Sequence, residues 1–269
     1  MNPVIYEPKG AAREYAPLAC NLYTGCSHGC LYCYAPGCRH MTREQFTSDV
    51  RPYPDILERL EKDADKMVAA GDRRRVLFSF TSDPYQVFEP GCDVTRQALQ
   101  IMVDRGLNFE VCTKGGLRAE RDFDLLKQGG RFGQSIAWWN TRKADECEPH
   151  ADNLSSRFFA GQGARENGIY NWVSVEPVID PSEVFSLFFG AKAPGGCWVD
   201  EIRVGKINPR TIGQLPPEWQ ERVRAVDWQA FTDEAYDLLL RAGKPFMFKE
   251  SLHPYLNGKP AKVGYEVTP

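Results

Sequence analysis

Short β-like runs alternate with longer helical ones along almost the whole chain, and few folds satisfy that alternation. The strand-type runs are PLACNLY (17–23), RVLFSFT (75–81), NFEVCTK (108–114), GQSIAWW (133–139), NWVSVEPV (171–178), EIRVGKI (201–207) and PFMFKES (245–251). Each is rich in apolar, β-branched or aromatic residues and is bounded by turn-forming residues. Helical spacing fills residues 54–71, 93–106, 120–130, 155–168 and 232–243, and several of these segments end on Gly, which takes the left-handed C-cap without strain. Strand followed by helix, repeated, is the signature of parallel crossover units, because parallel neighbours cannot be joined by a tight turn. The expected class is α/β, as a complete or partial TIM-type (β/α) barrel, with its chemistry on the loops that leave the strands. On that scheme a cysteine-rich stretch follows the first strand, TSDPYQ the second, TKGG the third, EPVID the fifth and KINPR the sixth.

Composition adds bounds. With 269 residues, 42% hydrophobic and 26% charged, the chain reads as one domain over 1–269, its core at about 15–210 and a strand and helix extension at about 211–269. The Gly-, Pro- and Trp-rich segment 190–230 is expected to be an extended loop. A formal net charge of −3 argues against a bulk polyanion binder and leaves room for a local basic groove. No apolar run reaches the roughly 20 residues of a membrane helix, and VFSLFFG (184–190) reads as one buried helix face. The start lacks a basic-then-apolar secretion pattern, so the cytoplasm is the expected compartment. Arg73, Arg74 and Arg75 precede the second strand, at the rim opposite the loops, and read as a solvated turn. Trp138 and Trp139, on one strand, would face opposite sides.

Five of nine cysteines and two of four histidines lie within residues 20–40. An odd number of clustered thiols in a reducing compartment points to a metal or redox site and not to disulfides. Cys26, Cys30 and Cys33 form C-x3-C-x2-C, a soft donor set suited to zinc or to iron–sulfur. Four-cysteine zinc sites usually pair two C-x2-C units, and the second unit is missing. Three cysteines on a short loop leave one iron of a cubane without a protein ligand. The competing reading is a zinc-stabilised binding module without redox chemistry, with Cys38, His28 or His40 as fourth ligand. Cys20, on a strand, reads as a small buried hydrophobe.

The cysteine triad with an aromatic beside its last member, followed by FSFTSDPYQVFE, VCTKGGLRAERDFDLL and SVEPVIDP, resembles the radical S-adenosylmethionine (SAM) superfamily and its spore photoproduct lyase-like branch. The resemblance runs from about residue 15 to 210, and GKPFMFKES is similar to phage-associated relatives. It implies a [4Fe–4S] cluster on Cys26, Cys30 and Cys33 with SAM on the open iron. It further implies reductive cleavage of SAM to a 5′-deoxyadenosyl radical and hydrogen abstraction from a nucleic acid, a small molecule or a peptide. The electron donor would be a flavodoxin or ferredoxin. Tyr32 and Tyr34, flanking the third cysteine, match residues that return hydrogen, whereas Ser82, Lys114 and Arg157 match positions near SAM. A lysine ammonium suits the methionine carboxylate as a point charge. Asp83 is expected to order its loop beside the cofactor, and Glu176 to offer a carboxylate to ribose or substrate. One departure matters: the lyase's hydrogen-donor cysteine corresponds to Phe80 here, and Cys92 and Cys112 are the candidate substitutes. Ser155 and Ser156 read as helix caps, and Asn208 and Lys249 as further strand-end candidates.

Overall fold

A computed structural model describes residues 3–78, 80–87, 93–190 and 198–265. Among these residues eight strands form one sheet in sequential order: β1 (Leu18–Cys20), β2 (Val76–Phe78), β3 (Phe109–Thr113), β4 (Gly130–Ser135), β5 (Tyr170–Val178), β6 (Glu201–Lys206), β7 (Phe246–Phe248) and β8 (Lys262–Val263). The first seven are parallel, and β8 returns antiparallel to β7. β1 and β8 do not pair, so the expected barrel is a partial one, open along that seam. Tyr6 exchanges both backbone hydrogen bonds with Ala19, at 2.9 and 3.0 Å, which covers the β1 edge that would otherwise expose unpaired groups.

Among the described residues ten α-helices connect and cover the strands: α1 (Ala35–Cys38), α2 (Arg43–Ser48), α3 (Ile56–Ala69), α4 (Val94–Asp104), α5 (Phe123–Leu126), α6 (Thr141–Cys147), α7 (Leu154–Glu166), α8 (Pro181–Gly190), α9 (Pro217–Ala225) and α10 (Trp228–Ala242). Helix α3 buries Ile56, Leu60, Ala64 and Met67, which its period places on one face. In α10, Asp227 caps the N-terminus through the backbone N–H groups of Gln229 and Ala230, both at 3.0 Å, and Gly243 ends the helix at φ 65°. Among the described residues no helix is long and apolar enough to cross a membrane.

Three expectations need correction. Segment 190–230 is not an extended loop: beyond residues 191–197, which lie outside the described set, it contains β6, a 3-10 turn (Pro209–Gln214) and α9. Its prolines start structure there, because Pro217 opens α9 where no N–H bond is needed, and Trp219 and Val223 are buried four residues apart. The fourth strand stops at Ser135, so the two tryptophans follow it; Trp138 is buried and Trp139 is 43% exposed. The cap of α7 is Asn153, which accepts from Ser156 N at 2.8 Å, and not a serine. The expectation for Cys92 falls outside the described residues. The arginine run behaves as expected: Arg74 pairs with Glu7 and Asp72, and Arg73 and Arg75 donate to backbone carbonyls near the strand starts. Cys20 is fully buried on β1.

The sheet interior carries charge. Arg203 on β6 lies 2.5 Å from Glu201 and 3.4 Å from Glu110, with its guanidinium 3.7 Å above the Trp172 ring. Burial alone would raise the Glu201 pKa, but Arg203, Tyr265 and Tyr170 together hold it below the usual range. Arg203→Met strands both carboxylates and should cost about 3–5 kcal/mol of unfolding free energy in urea titrations. The wild-type pair contributes fully at neutral pH, and its contribution is lost as pH falls through the depressed Glu201 value.

Candidate active site

The loops leaving the parallel strands meet around a cavity of about 520 Å³. One carboxylate organises three of them. Asp83, 7% exposed on the loop after β2, accepts from Tyr85 N (2.8 Å) and Thr113 Oγ1 (2.6 Å) on one oxygen. Its other oxygen accepts from Lys114 N (2.7 Å) and faces His28 Nδ1 at 3.4 Å. The same loop supplies Gln86, which accepts from Ser27 N at 2.7 Å and so fixes the start of the cysteine loop. Asp83 thus orders the loops, as expected of an Asp before Pro, with both oxygens engaged.

A second clamp comes from α2. The Arg43 guanidinium donates to the carbonyls of Cys30 (2.6 Å) and Leu31 (2.8 Å) and reaches that of Cys33 at 3.4 Å. The cysteine loop is held by its backbone, which leaves Cys26, Cys30 and Cys33 free to line the cavity. Burial pushes the Cys30 thiol up to about 12 and raises those of Cys26 and Cys33 as well. A positive charge placed among the three would favour their thiolate forms.

This donor set fits an iron–sulfur cluster. A cubane takes each thiolate on its own iron, and the three thiols line one cavity from one short loop; among the described residues no group of three Cys, His, Asp or Glu forms a candidate single-ion site. Of the fourth ligands named for zinc, Cys38 and His40 are exposed and do not line the cavity, whereas His28 lines it, with its ring between Asp83 and Arg118. Burial, with Lys114, Arg118 and Arg157 nearby, keeps His28 neutral at a pKa of about 4 despite Asp83.

The T-K-G-G stretch turns away from β3 under tight constraint. A Cβ on Gly115 would meet Tyr85 at 2.5 Å, and Gly116 has φ 54° with Ser156 and Asp152 within 2.5 Å of the same position. That turn leaves the Lys114 side chain in the cavity, donating to Ser135 Oγ at 2.7 Å and lying 5.5 Å above the Tyr32 ring. Ser82 lines the cavity too, and its buried hydroxyl has no hydrogen-bond partner among the described residues. A lone buried hydroxyl in a cavity that also holds a lysine is a fitting place for a polar ligand.

The other expected residues divide. Glu176 lines the opposite wall, accepting from Lys249 Nζ at 2.6 Å and from the Tyr15 hydroxyl. Asn208 lines it as well and caps the 3-10 turn through Arg210 N. Tyr32 and Tyr34 both line the cavity, but their hydroxyls are engaged, on Glu148 and on the Phe80 carbonyl at 3.0 Å. Cys112 lines it with Phe80. Arg157 does not: 1% exposed, it pairs with Glu148 at 2.6 Å behind the wall. Arg43, Gln86, Glu148 and Tyr15 were not read from the sequence. Glu148 sits in a polar stretch, ECEPH, that resembles any exposed turn, and Tyr15 precedes β1 outside every motif. A lone tyrosine gives no sequence signal.

No family model matches the chain. An uncharacterized protein of Methanocaldococcus jannaschii is 27% identical over 165 residues, which is 59% of this chain and 59% of that protein. Solved structures superimpose more widely. A spore photoproduct lyase double mutant with bound AdoMet and dinucleoside spore photoproduct covers 88% of this chain and 75% of its own, at TM-score 0.58 and 19% identity. A single mutant of that lyase with the dinucleoside photoproduct reaches TM-score 0.61 at 18% identity, with the same coverage. The chain shares the partial-barrel fold of these lyase structures. SuiB of Streptococcus suis, bound to S-adenosylmethionine, has it too: TM-score 0.59, 10% identity, 85% of this chain and 49% of that one. Within this fold the cysteine loop stands at the mouth of the partial barrel, after β1.

Arg43→Ala removes the clamp without touching a thiol. The cluster-free protein should keep its circular dichroism spectrum, while Cys26, Cys30 and Cys33 react several-fold faster with a thiol reagent. Unchanged rates would show that Asp83 and Gln86 alone hold the loop.

Proposed function

We propose that the chain is a radical SAM enzyme that holds a [4Fe–4S] cluster on Cys26, Cys30 and Cys33. The observation that carries the reading is that these three free thiols line one cavity with Ser82, Lys114 and Glu176, all at the C-terminal ends of parallel strands. Bound there, the cluster would supply the electron that cleaves SAM to methionine and a 5′-deoxyadenosyl radical, which abstracts hydrogen from the substrate.

The chain's own residues bind, orient and exclude water. Lys114 offers a point charge to the methionine carboxylate, and the unpartnered Ser82 hydroxyl offers a hydrogen bond beside it. Glu176, steadied by Lys249 and Tyr15, presents carboxylate oxygen to ribose or substrate. Asp83 sets the loops, and Arg157 acts from behind the wall through Glu148. Tyr34, at the mouth and 40% exposed, is the better placed of the two tyrosines to return hydrogen. Phe80 stands where the lyase has its donor cysteine, so photoproduct reversal by the same route is not the proposed reaction. Substrates recorded with the solved neighbours include a dinucleoside photoproduct and the precursor peptide SuiA. For this chain the substrate class stays open among nucleic acid, peptide and small molecule. Reduction by a flavodoxin or ferredoxin and a cytoplasmic setting complete the proposal.

Anaerobic reconstitution with iron and sulfide, followed by SAM and dithionite, should yield 5′-deoxyadenosine by chromatography. Cys30→Ala should lose iron and product together; a Cys30→Ala protein that still makes 5′-deoxyadenosine sinks the assignment, as does a colourless wild-type protein that retains zinc. Lys114→Met should weaken SAM binding about tenfold, the size of one charge-assisted hydrogen bond.

A further inference from the structure

The turn after α6 docks on the cysteine loop from far away in sequence. Leu31 N donates to the Cys147 carbonyl at 2.9 Å, and His150 N to the His28 carbonyl at 3.1 Å. Within this turn Glu148 is 2% exposed and faces groups from three elements. The Tyr32 hydroxyl donates to it, the Arg157 guanidinium lies at 2.6 Å and the Lys114 ammonium at 4.0 Å. A ring closes behind the cavity wall: Arg157 Nη1 reaches the Ser135 carbonyl at 3.2 Å, and Ser135 Oγ accepts from Lys114 at 2.7 Å. One carboxylate thus faces two cations, Arg157 fully buried and Lys114 half-buried at the cavity. Arg157, anchored through Nε on the Asp152 carbonyl at 2.8 Å, takes the close pairing. Lys114, the cation that reaches the cavity, keeps charge to spare for an outside anion.

We propose that Glu148 is a positioning residue that joins the cysteine loop to the Lys114 strand end. The inference rests on the radical SAM reading: the same carboxylate seats the loop, through Tyr32, and sets where Lys114 meets the anionic end of SAM. Without its charge, Arg157 and Lys114 repel one another across a buried gap, and Lys114 leaves its place on Ser135.

The test uses the full chain, cluster-loaded for SAM binding by equilibrium dialysis and cluster-free for thermal unfolding and thiol reactivity. Glu148→Gln keeps the shape and removes the charge. The Kd for SAM should rise about tenfold or more, and the loop thiols should react faster. Because this variant strands Arg157 and can fail to fold, Glu148→Gln/Arg157→Gln is measured beside it. With both charges gone, the thermal midpoint should return towards wild type while the SAM Kd stays about tenfold weak. A double variant that binds SAM as wild type does, or a single variant with unchanged Kd and unchanged thiol rates, overturns the proposal. A wild-type protein that loads iron and does not bind SAM overturns the functional reading, and this inference with it.

Discussion

Parallel strands bring every outgoing loop to one rim, but they do not make those loops hold one another. That is the work of the Asp83 carboxylate. A buried carboxylate is costly unless all its oxygens are satisfied, and Asp83 is satisfied only when its own loop, the β3 end and His28 of the cysteine loop are in place together. The sheet chooses the rim; this one group converts three neighbouring loops into a wall.

The interior of the partial barrel differs from that of a closed one. Closed barrels fill their lumen with layers of branched apolar side chains. Here the space holds polar groups in opposite-charge sets: Arg203 with Glu201 and Glu110 low in the sheet, Lys249 with Glu176 and Glu14 on one wall, and Arg157 with Glu148 behind the other. Aromatic faces separate these charges, as where Trp172 lies under Arg203 and Tyr15 under Lys249. The open seam makes room for chemistry, and the cost of burying charge is met by pairing nearly every one.

Much of this was legible in the sequence because it rests on local rules. The seven parallel strands announce themselves by β-branched and aromatic runs between breakers, and the cysteine spacing carries its own chemistry. The missed elements have weak local signals. Helices α2 and α6 are short and polar, β8 is two residues long, and α9 hides in a segment whose prolines suggest a loop. Glu148 illustrates the deeper limit. Nothing in ECEPH distinguishes it from a surface glutamate; only the arrival of Arg157 from α7 and Tyr32 from the cysteine loop makes burial tolerable. Arg157 was read as a cofactor contact for the same reason, since its pairing is a property of the folded chain.

Tyr15 and Glu14 reach the cavity from the segment before β1, on the side of the open seam. Neither belongs to the strand-and-loop repeat that positions the cysteines, Ser82 and Lys114. The chamber therefore has two parts with separate histories open to them: a cysteine-bearing side tied into the sheet by Asp83, and a far wall finished by a strap. Changes in the strap can reshape what the chamber admits while the cysteine side stays as it is. Two chains that share every motif of the first part can, on this architecture, differ in the molecule they act on.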